Sequence, residues 1–537
     1  MTTLLGTSDV VLSHWRPNLS ETVLEQSIGE ALRDAAATWK EETALVEGHQ
    51  DIERRRRWTF SSLLDHAEQV ARALLGRFSP GEHVAVWAAN SPEWVLIEFG
   101  AALAGVTLVT VNPAYLDKEL TFVLKQSKAS GIFVQPTYRQ RDLLSIVDQV
   151  RSELPQLREV IPLSCWSDFL LSGASQALPP VAPSDVAQIQ YTSGTTGFPK
   201  GARLTHRNLA NNGRFYARTI GTGPGDIWVN PMPMFHTAGC GLATLGALQT
   251  GGAHVLPAEF DPNLMLHLLE TERGTITLSV PTMLIRMLDQ PDISGRNLAS
   301  WRLATLGGAP VPPELVRRAQ TEIGLKVAIG FGQTEASPYL THTLPDDPHP
   351  DWISTVGRPM PQTEVKIIDP DTGDTVPVDT VGEICARGYS VMKDYFDNPD
   401  ATAKAINSDG WLLTGDLGSM DRLGYCRVQG RLKDMVIRGG ENVYPREIED
   451  VLFTHPAVSG VSVVGIPDRE WGEVVVAFVQ LKPTLTTNDE ELACFCRQHL
   501  ASYKIPRIWK FVDQFPQTAS AKIQKFELRK QYLAQEI

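Results

Sequence analysis

Apolar and polar positions follow different rhythms along this chain, and the changes of rhythm outline its organisation. Residues 84–87, Val-Ala-Val-Trp, form an unbroken apolar run, the pattern of a buried strand. Ser91-Pro-Glu93 marks a helix start, because Ser91 can accept an orphan N–H and Pro92 sits in the first turn, where its missing donor costs nothing. Residues 107–111 predict the next strand, Leu116, Leu120, Val123 and Leu124 fall at helical spacing, and 132–134 predict a third strand. This strand–helix alternation implies a parallel sheet with helices on its faces. It recurs from 228 to 330, with strands near 275–280 and 327–329. From 363 to 427 the rhythm changes to short β-branched runs such as 364–368 and 382–386, split by turns including 371–374, and predicts a small β-rich subdomain. After Gly430 mixed structure returns, with helices over 445–453 and 488–500 and strands over 461–464 and 474–480. The pattern predicts an α/β protein: a large N-terminal domain (1–432) of doubly wound sheets plus the β-rich subdomain (363–427), and a small α+β C-terminal domain (433–537). The hinge is placed at 431–434; it has no Gly/Ser tract, so any rotation there falls on a few backbone torsions.

One segment has neither rhythm. Residues 191–201 read Tyr-Thr-Ser-Gly-Thr-Thr-Gly-Phe-Pro-Lys-Gly. Gly194, Gly197 and Gly201 let several N–H groups turn toward one anion, Ser193, Thr195 and Thr196 add hydroxyl donors, Pro199 stiffens the exit, and Lys200 brings a full charge. Such a segment suits a polyphosphate, although a solvated Gly/Ser/Thr turn has the same composition. It is not a P-loop, since Phe-Pro separates Gly197 from Lys200 and a glycine follows the lysine. Residues 186–191 predict a strand before it, so the loop is expected to leave a sheet edge.

The segment resembles the phosphate-binding signature of the adenylate-forming superfamily, which includes acyl-CoA synthetases, peptide-synthetase adenylation domains and firefly-type luciferases. The resemblance continues in order through Pro233-Met-Phe-His236-Thr-Ala-Gly239, Gly307-Gly-Ala-Pro310, Gly330-Phe-Gly-Gln-Thr-Glu335 and Gly410-Trp-Leu-Leu-Thr-Gly-Asp416. It extends through residues 430–445 to Ala521-Lys-Ile-Gln-Lys525, covering about 58–528. Val111-Asn-Pro-Ala-Tyr115 and residues 437–449 are most similar to the medium-chain fatty-acid CoA ligase branch.

The resemblance implies roles residue by residue. Thr192, Ser193, Gly194, Thr195, Thr196, Gly197 and Lys200 would cradle the β- and γ-phosphates of ATP, Thr334 would hold the α-phosphate, and Glu335 would bind Mg²⁺. One carboxylate plus phosphate oxygens suits that ion; taken alone, Thr334-Glu335 also reads as a helix start. Gly308, Ala309 and Pro310 would lie along adenine, with Phe331 packed on it and Gly332 beside it; the family more often has Tyr at the aromatic position. Asp416 and Arg431 would take the ribose hydroxyls, although an Asp after Thr-Gly is also ordinary turn chemistry. His236 would stand near the carboxylate and gate the acyl tunnel, or be a buried histidine with no catalytic part. Phe235, Ala238, Gly239, Val280, Gly307, Gly332 and Ser337 would line an apolar acyl pocket, and a bulkier residue at Gly332 would fill tunnel volume.

Lys522 would bridge the attacking carboxylate and the α-phosphate, delivered by a mobile C-terminal domain that turns about Lys433. The turn would then present Gly439 and Gly440 to the pantetheine of CoA; a plain loop is the other reading of that stretch. Three departures stand out. Gln517 and Ala521 replace the usual Lys and Gly, and Asp394 stands where Gly is common before Tyr395.

Composition narrows the alternatives. At 537 residues more than one core is expected, and 42% hydrophobic and 21% charged residues are ordinary for a globular protein. A net charge of −13 argues against nucleic acid and anionic membrane surfaces as partners. The Arg54–Arg57 run is the one dense basic cluster, read as a solvated loop or a contact for CoA or a carrier protein. Six cysteines without a C-x-x-C pair, no H-E-x-x-H and no G-x-S-x-G remove the zinc-hydrolase and serine-esterase readings and suggest reduced thiols in a cytoplasmic enzyme. No stretch approaches the ~20 apolar residues of a membrane span. The expected activity is ATP-dependent activation of a medium-chain fatty or aryl acid to an acyl-adenylate, followed by transfer to CoA. An enzyme passing the acyl group to a carrier protein or another nucleophile is the alternative, and a module that holds an adenylate without turnover is a third. The oligomeric state is left open, with a homodimer as one option.

Overall fold

The computed structural model describes residues 11–173, 177–192, 199–438, 441–517 and 523–534. Two large sheets dominate it. The first has seven strands, five of which, Val186–Thr192, Thr107–Val111, His83–Trp87, Gly131–Val134 and the edge strand Glu159–Pro162, are successive parallel neighbours. Lys200–Thr205 and then Asp394–Tyr395 extend it as antiparallel strands. The second has nine strands, with a parallel centre of Lys326–Gly332, Leu303–Leu306, Ile276–Ser279, Ile227–Val229, Ala253–Pro257 and Thr43–Gly48. Parallel strands must have both faces covered, which is why these runs are mostly apolar and buried on both faces, with Gln188 and Gln190 of Val186–Thr192 as buried polar exceptions.

Helix Pro92–Ala104 explains how the two sheets share one interior. Ser91 caps it by accepting the Trp94 N–H, Pro92 opens it, and Gly105 closes it at φ 68°. Every residue from Trp94 to Ala104 is buried, because the helix packs against strands Thr107–Val111 of one sheet and Thr43–Gly48 of the other. A helix that is apolar all round has no solvent face to present.

Strands Thr363–Ile368, Gly382–Gly388, Leu412–Met420 and Cys426–Arg431 form a five-stranded antiparallel sheet with His14–Trp15. The β-rich region therefore runs past residue 427 to Arg431 and recruits a strand from the start of the chain, a long-range pairing that local pattern cannot contain. After a short 3₁₀ turn, Leu432–Asp434, a fourth sheet begins. It joins Glu441–Val443, Val436–Arg438, Gly472–Leu481 and Val458–Asp468, with Ile508–Phe511 parallel to Gly472–Leu481. Helices Pro445–Phe453 and Asp489–Arg497 accompany this sheet, the second capped by Asn488 and three residues short of the expected end.

Three local expectations are corrected. Val186–Thr192 is an interior strand, so the phosphate-like loop joins two paired strands instead of leaving a sheet edge. Leu116 precedes helix Asp117–Gln126 and is exposed, whereas Leu120, Val123 and Leu124 are buried as its spacing requires. The arginine run is solvated only in part: Arg54, Arg56 and Arg57 are exposed, but Arg55 is buried, the Arg55 and Arg57 guanidinium groups pair with Glu272, and Arg56 pairs with Glu47 and Glu93.

Candidate active site

Thr192 and Lys200 face each other across the antiparallel pair, and the Thr192 hydroxyl lies 3.5 Å from the Lys200 carbonyl oxygen. Ser193, Gly194, Thr195, Thr196 and Gly197 lie between them, outside the described residues. The strand below is tied down by Tyr191, whose phenol donates to the Gln126 side chain and to the Val123 carbonyl at 3.2 Å.

Strand Lys326–Gly332 ends in a single 3₁₀ turn, Thr334–Ala336. Gln333 N–H donates to the Pro338 carbonyl at 2.9 Å and Ala336 N–H to the Gln333 carbonyl at 2.8 Å, fixing the turn. Thr334 and Glu335 are 8% and 9% exposed, so a charged carboxylate there needs a partner. Tyr395 supplies it: its hydroxyl donates to Glu335 Oε1 at 2.6 Å. The Tyr395 ring, 6% exposed, has Lys200 Nζ at 4.5 Å from its centre, a cation–π contact. Burial, then the Glu335 charge and the hydrogen bond to it, push the Tyr395 phenol well above its ordinary pKa, so it stays a donor. Lys200 and Glu335, far apart in sequence, thus meet on two sides of one tyrosine that sequence patterning did not single out.

Leu306 and Ile329 are parallel neighbours, so Gly307–Pro310 and Gly330–Phe331 leave adjacent strand ends together, where ligands of open α/β sheets bind. Gly308 is exposed at φ 74°, a conformation a side chain would strain, Ala309 and Pro310 stay accessible, and Phe331 is half-buried. Asp416 and Arg431 are cross-strand partners, with Arg431 Nε 3.3 Å from Asp416 Oδ1. Behind them Glu383, buried and therefore raised in pKa, accepts the Gly415 N–H at 2.8 Å and holds the turn that presents Asp416. Lys433 sits close enough to feel Asp434, Arg431 and Asp416, but burial dominates and lowers its pKa.

His236 precedes a π-helical segment, Ala238–Thr244, a local irregularity common at functional sites. Its Nδ1 accepts the Ala238 N–H at 3.3 Å, which fixes the proton of the neutral ring on Nε2. Its carbonyl accepts from Gly239 and Cys240. Cys240 leads into a buried polar chain: Gln190 Nε2 donates to Gln188 Oε1 at 2.6 Å and lies 3.1 Å from Cys240 Sγ, and Gln188 Nε2 donates to Glu98 Oε1 at 2.8 Å. Strand Val186–Thr192 and the His236 segment are thereby coupled below the surface. Signals for this chain were present in the sequence: Glu98 is the one charge between Trp94 and Ala104, and Gln188 and Gln190 alternate on one face of a buried strand.

Gly332, expected to admit a bulkier residue into a tunnel, does not. A Cβ there would lie 1.8 Å from the Pro338 carbonyl oxygen, and one on Gly239 would lie 2.3 Å from that of Pro233. A Cβ on Gly307 would likewise lie 2.4 Å from the Tyr339 hydroxyl oxygen, while Ser337 is fully buried with its hydroxyl donating to the Ser390 carbonyl. Val280 and Ala238 are core residues, and Phe235 is half-buried. Asp394, unexplained by sequence, forms a two-pronged ion pair with Arg203. Gln517 pairs with Ile523 through an isolated bridge that flanks Ala521 and Lys522. Those two residues, with Gly439 and Gly440, lie outside the described residues. Among the described residues no three His, Cys, Asp or Glu side chains gather as a metal cage, and no helix is long and apolar enough to cross a membrane.

The chain matches the AMP-binding enzyme family over residues 32–396 and the AMP-binding enzyme C-terminal domain over 447–522. It is 40% identical to the putative acyl-CoA synthetase YngI of Bacillus subtilis, covering 94% of this chain and 97% of that one. It is 35% identical to the human mitochondrial medium-chain acyl-CoA ligase ACSF2, covering 94% of this chain and 87% of the relative. Among solved structures, the anthranilate CoA ligase AuaEII in complex with anthranoyl-AMP superposes with a TM-score of 0.87 at 27% identity, covering 96% of this chain and 99% of the other.

Proposed function

The chain belongs to the AMP-binding enzyme family, and from that premise we propose that it is an acyl-CoA synthetase that activates a medium-chain fatty or aryl acid with ATP and passes the acyl group to CoA. The observation that carries this reading is the meeting of Lys200 and Glu335 around Tyr395: an ammonium and a carboxylate, held apart by a ring, at the start of the strand that leaves the phosphate signature. Two anions, a carboxylate and a triphosphate, must be brought together, so neutralising and orienting groups come before any other chemistry.

In this proposal Lys200 and Thr192, with Ser193 to Gly197, hold the β- and γ-phosphates, and Thr334 holds the α-phosphate. Gly308, Ala309, Pro310 and Phe331 receive the adenine. Asp416 accepts the ribose hydroxyls while Arg431, half-exposed beside it, donates. Glu335 would hold Mg²⁺, for which a single carboxylate completed by phosphate oxygens and water is a fitting donor set; the ion supplies charge neutralisation between the phosphates. The acid carboxylate attacks the α-phosphorus and pyrophosphate leaves, with Lys522 bridging the two oxygens in the transition state. A turn of the small C-terminal domain about Lys433 then exchanges Lys522 for Gly439 and Gly440, and the CoA thiolate displaces AMP. No side chain acts as a nucleophile. His236, whose Nδ1 accepts from the Ala238 N–H, would stand near the acid carboxylate.

The test is pyrophosphate release across an acid panel, with and without CoA. Release that needs an acid, with AMP and thioester formed only when CoA is added, supports the reading. Release followed by transfer to an amine or carrier thiol instead of CoA would give the acceptor to the alternative, and no release with any acid would overturn both.

A further inference from the structure

Tyr395 is stitched to two distant parts of the chain at once. On one side its hydroxyl holds Glu335 Oε1, and three residues earlier Met392 N–H donates to the Glu335 carbonyl at 2.8 Å. On the other, Ala202 pairs with Tyr395 and Arg203 with Asp394 in antiparallel register, Lys393 N–H donates to the Arg203 carbonyl, and Phe396 N–H donates to the Gly201 carbonyl. Gln126 reinforces the second side, donating to the Phe396 carbonyl at 2.6 Å while accepting from Tyr191. Residues 392–396 thus clasp the strand that carries Lys200 to the turn that carries Glu335.

We propose that Tyr395 is a positioning residue for the nucleotide: a spacer that keeps Lys200 and Glu335 available to MgATP instead of to each other, locked in place by the Arg203–Asp394 ion pair. The inference rests on the reading of Glu335 as the Mg²⁺ ligand. An ammonium and a buried carboxylate that share one neighbouring ring would pair if nothing stood between them, and a paired site has neither charge to offer a phosphate or a cation. The ring separates them: Lys200 lies against it while the hydroxyl satisfies Oε1 and leaves Oε2 as the oxygen to offer a cation. Asp394 has its account here, since its two-pronged contact fixes the register one residue before the spacer.

Calorimetric titration of ATP into the full chain, once with Mg²⁺ and once with EDTA, tests this. Wild type gains affinity from Mg²⁺, and Glu335→Gln loses that gain. Tyr395→Phe, which keeps the ring but not the donor, loses about tenfold in MgATP affinity, the scale of one hydrogen bond to a charged group, while metal-free ATP affinity changes less than about twofold and the KM for acid is unmoved. Asp394→Asn loses about threefold, and the exchange Arg203→Asp with Asp394→Arg recovers it. Unchanged MgATP affinity in Tyr395→Phe, or equal losses with and without Mg²⁺, overturns the positioning of Glu335 by Tyr395. If Tyr395→Phe does not fold, the ion-pair series decides, and an exchange variant no better than Asp394→Asn overturns the lock. A wild type that gains nothing from Mg²⁺, or a Glu335→Gln that keeps the gain, overturns the underlying reading of Glu335 instead.

Discussion

At the scale of single residues, Gly332 shows how close the main chain comes to itself beside the proposed acyl site. Because the Cβ position collides with backbone at Pro338, Gly332→Ala must move the chain and is expected to cost about 1–3 kcal/mol of stability. Activity should fall for every acid from acetate to C16 alike; a changed chain-length optimum without loss of stability would show that the position does open into a tunnel. Glu98 makes a prediction of the opposite sign. Its carboxyl is fully buried, with Oε2 unpartnered, and burial raises its pKa well above 4.5. The folded state therefore keeps a proton that the unfolded state releases above pH 4.5, so stability is lost as pH rises through that value. Glu98→Gln, which preserves the acceptor for Gln188, should raise the midpoint of thermal unfolding at pH 7–8 by ~1–2 °C and leave it unchanged near pH 4. Glu98 could be picked out in the sequence because a charge in an apolar helix breaks a local pattern. Tyr395 could not, because its meaning lies in Glu335 and Lys200, which only the fold brings to it.

Elements were the more readable scale. The strands 84–87, 107–111 and 132–134 and helix Pro445–Phe453 follow from periodicity, because burial on one or both faces writes itself into neighbouring positions. Strand His14–Trp15 does not, being only two residues long and paired with a segment hundreds of residues away. The most consequential small element is the 3₁₀ turn Leu432–Asp434, which separates the end of one sheet at Arg431 from the start of the next at Val436. Within it Lys433 already has the backbone class that proline prefers, so Lys433→Pro should hold this turn as it stands. Pyrophosphate release should then survive or fall together with thioester formation according to whether the turn must move between them. Domain alternation predicts that Lys433→Pro spares pyrophosphate release and depresses thioester formation, and that Lys522→Ala impairs adenylate formation while sparing transfer from supplied acyl-adenylate to CoA. Single-turnover assays of each half-reaction read this directly, and equal loss of both steps in both variants would rule alternation out.

For the whole molecule, acid stability follows from three histidines that no site claims. His206, His254 and His342 are buried, and burial lowers their pKa values to about 4, about 3 and about 4 against an ordinary 6.5. His342 is held neutral by its own geometry: Nδ1–H donates to the Thr343 carbonyl at 2.6 Å and Nε2 faces no donor among the described residues. As pH falls below 6.5 the unfolded chain takes up these protons and the folded chain does not, so stability is present above 6.5 and lost on the way to 4. Glu98 works against this above pH 4.5, since there the folded state carries the extra proton. Each of the three histidines adds up to about one proton to the uptake on unfolding near pH 5, and Glu98, with Glu383 also raised by burial, takes part of it back. The seven- and nine-stranded sheets and their helices hold all three histidines, so the slope belongs to the unfolding of that part and not to the sheet that follows Val436. Urea midpoints measured from pH 4.5 to 7.5 should therefore fall steeply only in the transition of the larger part, and His206→Gln or His254→Gln should each remove about one proton from its slope. A flat profile between pH 6.5 and 4.5, or a slope that neither substitution changes, would mean that these side chains reach solvent and titrate while the protein is folded.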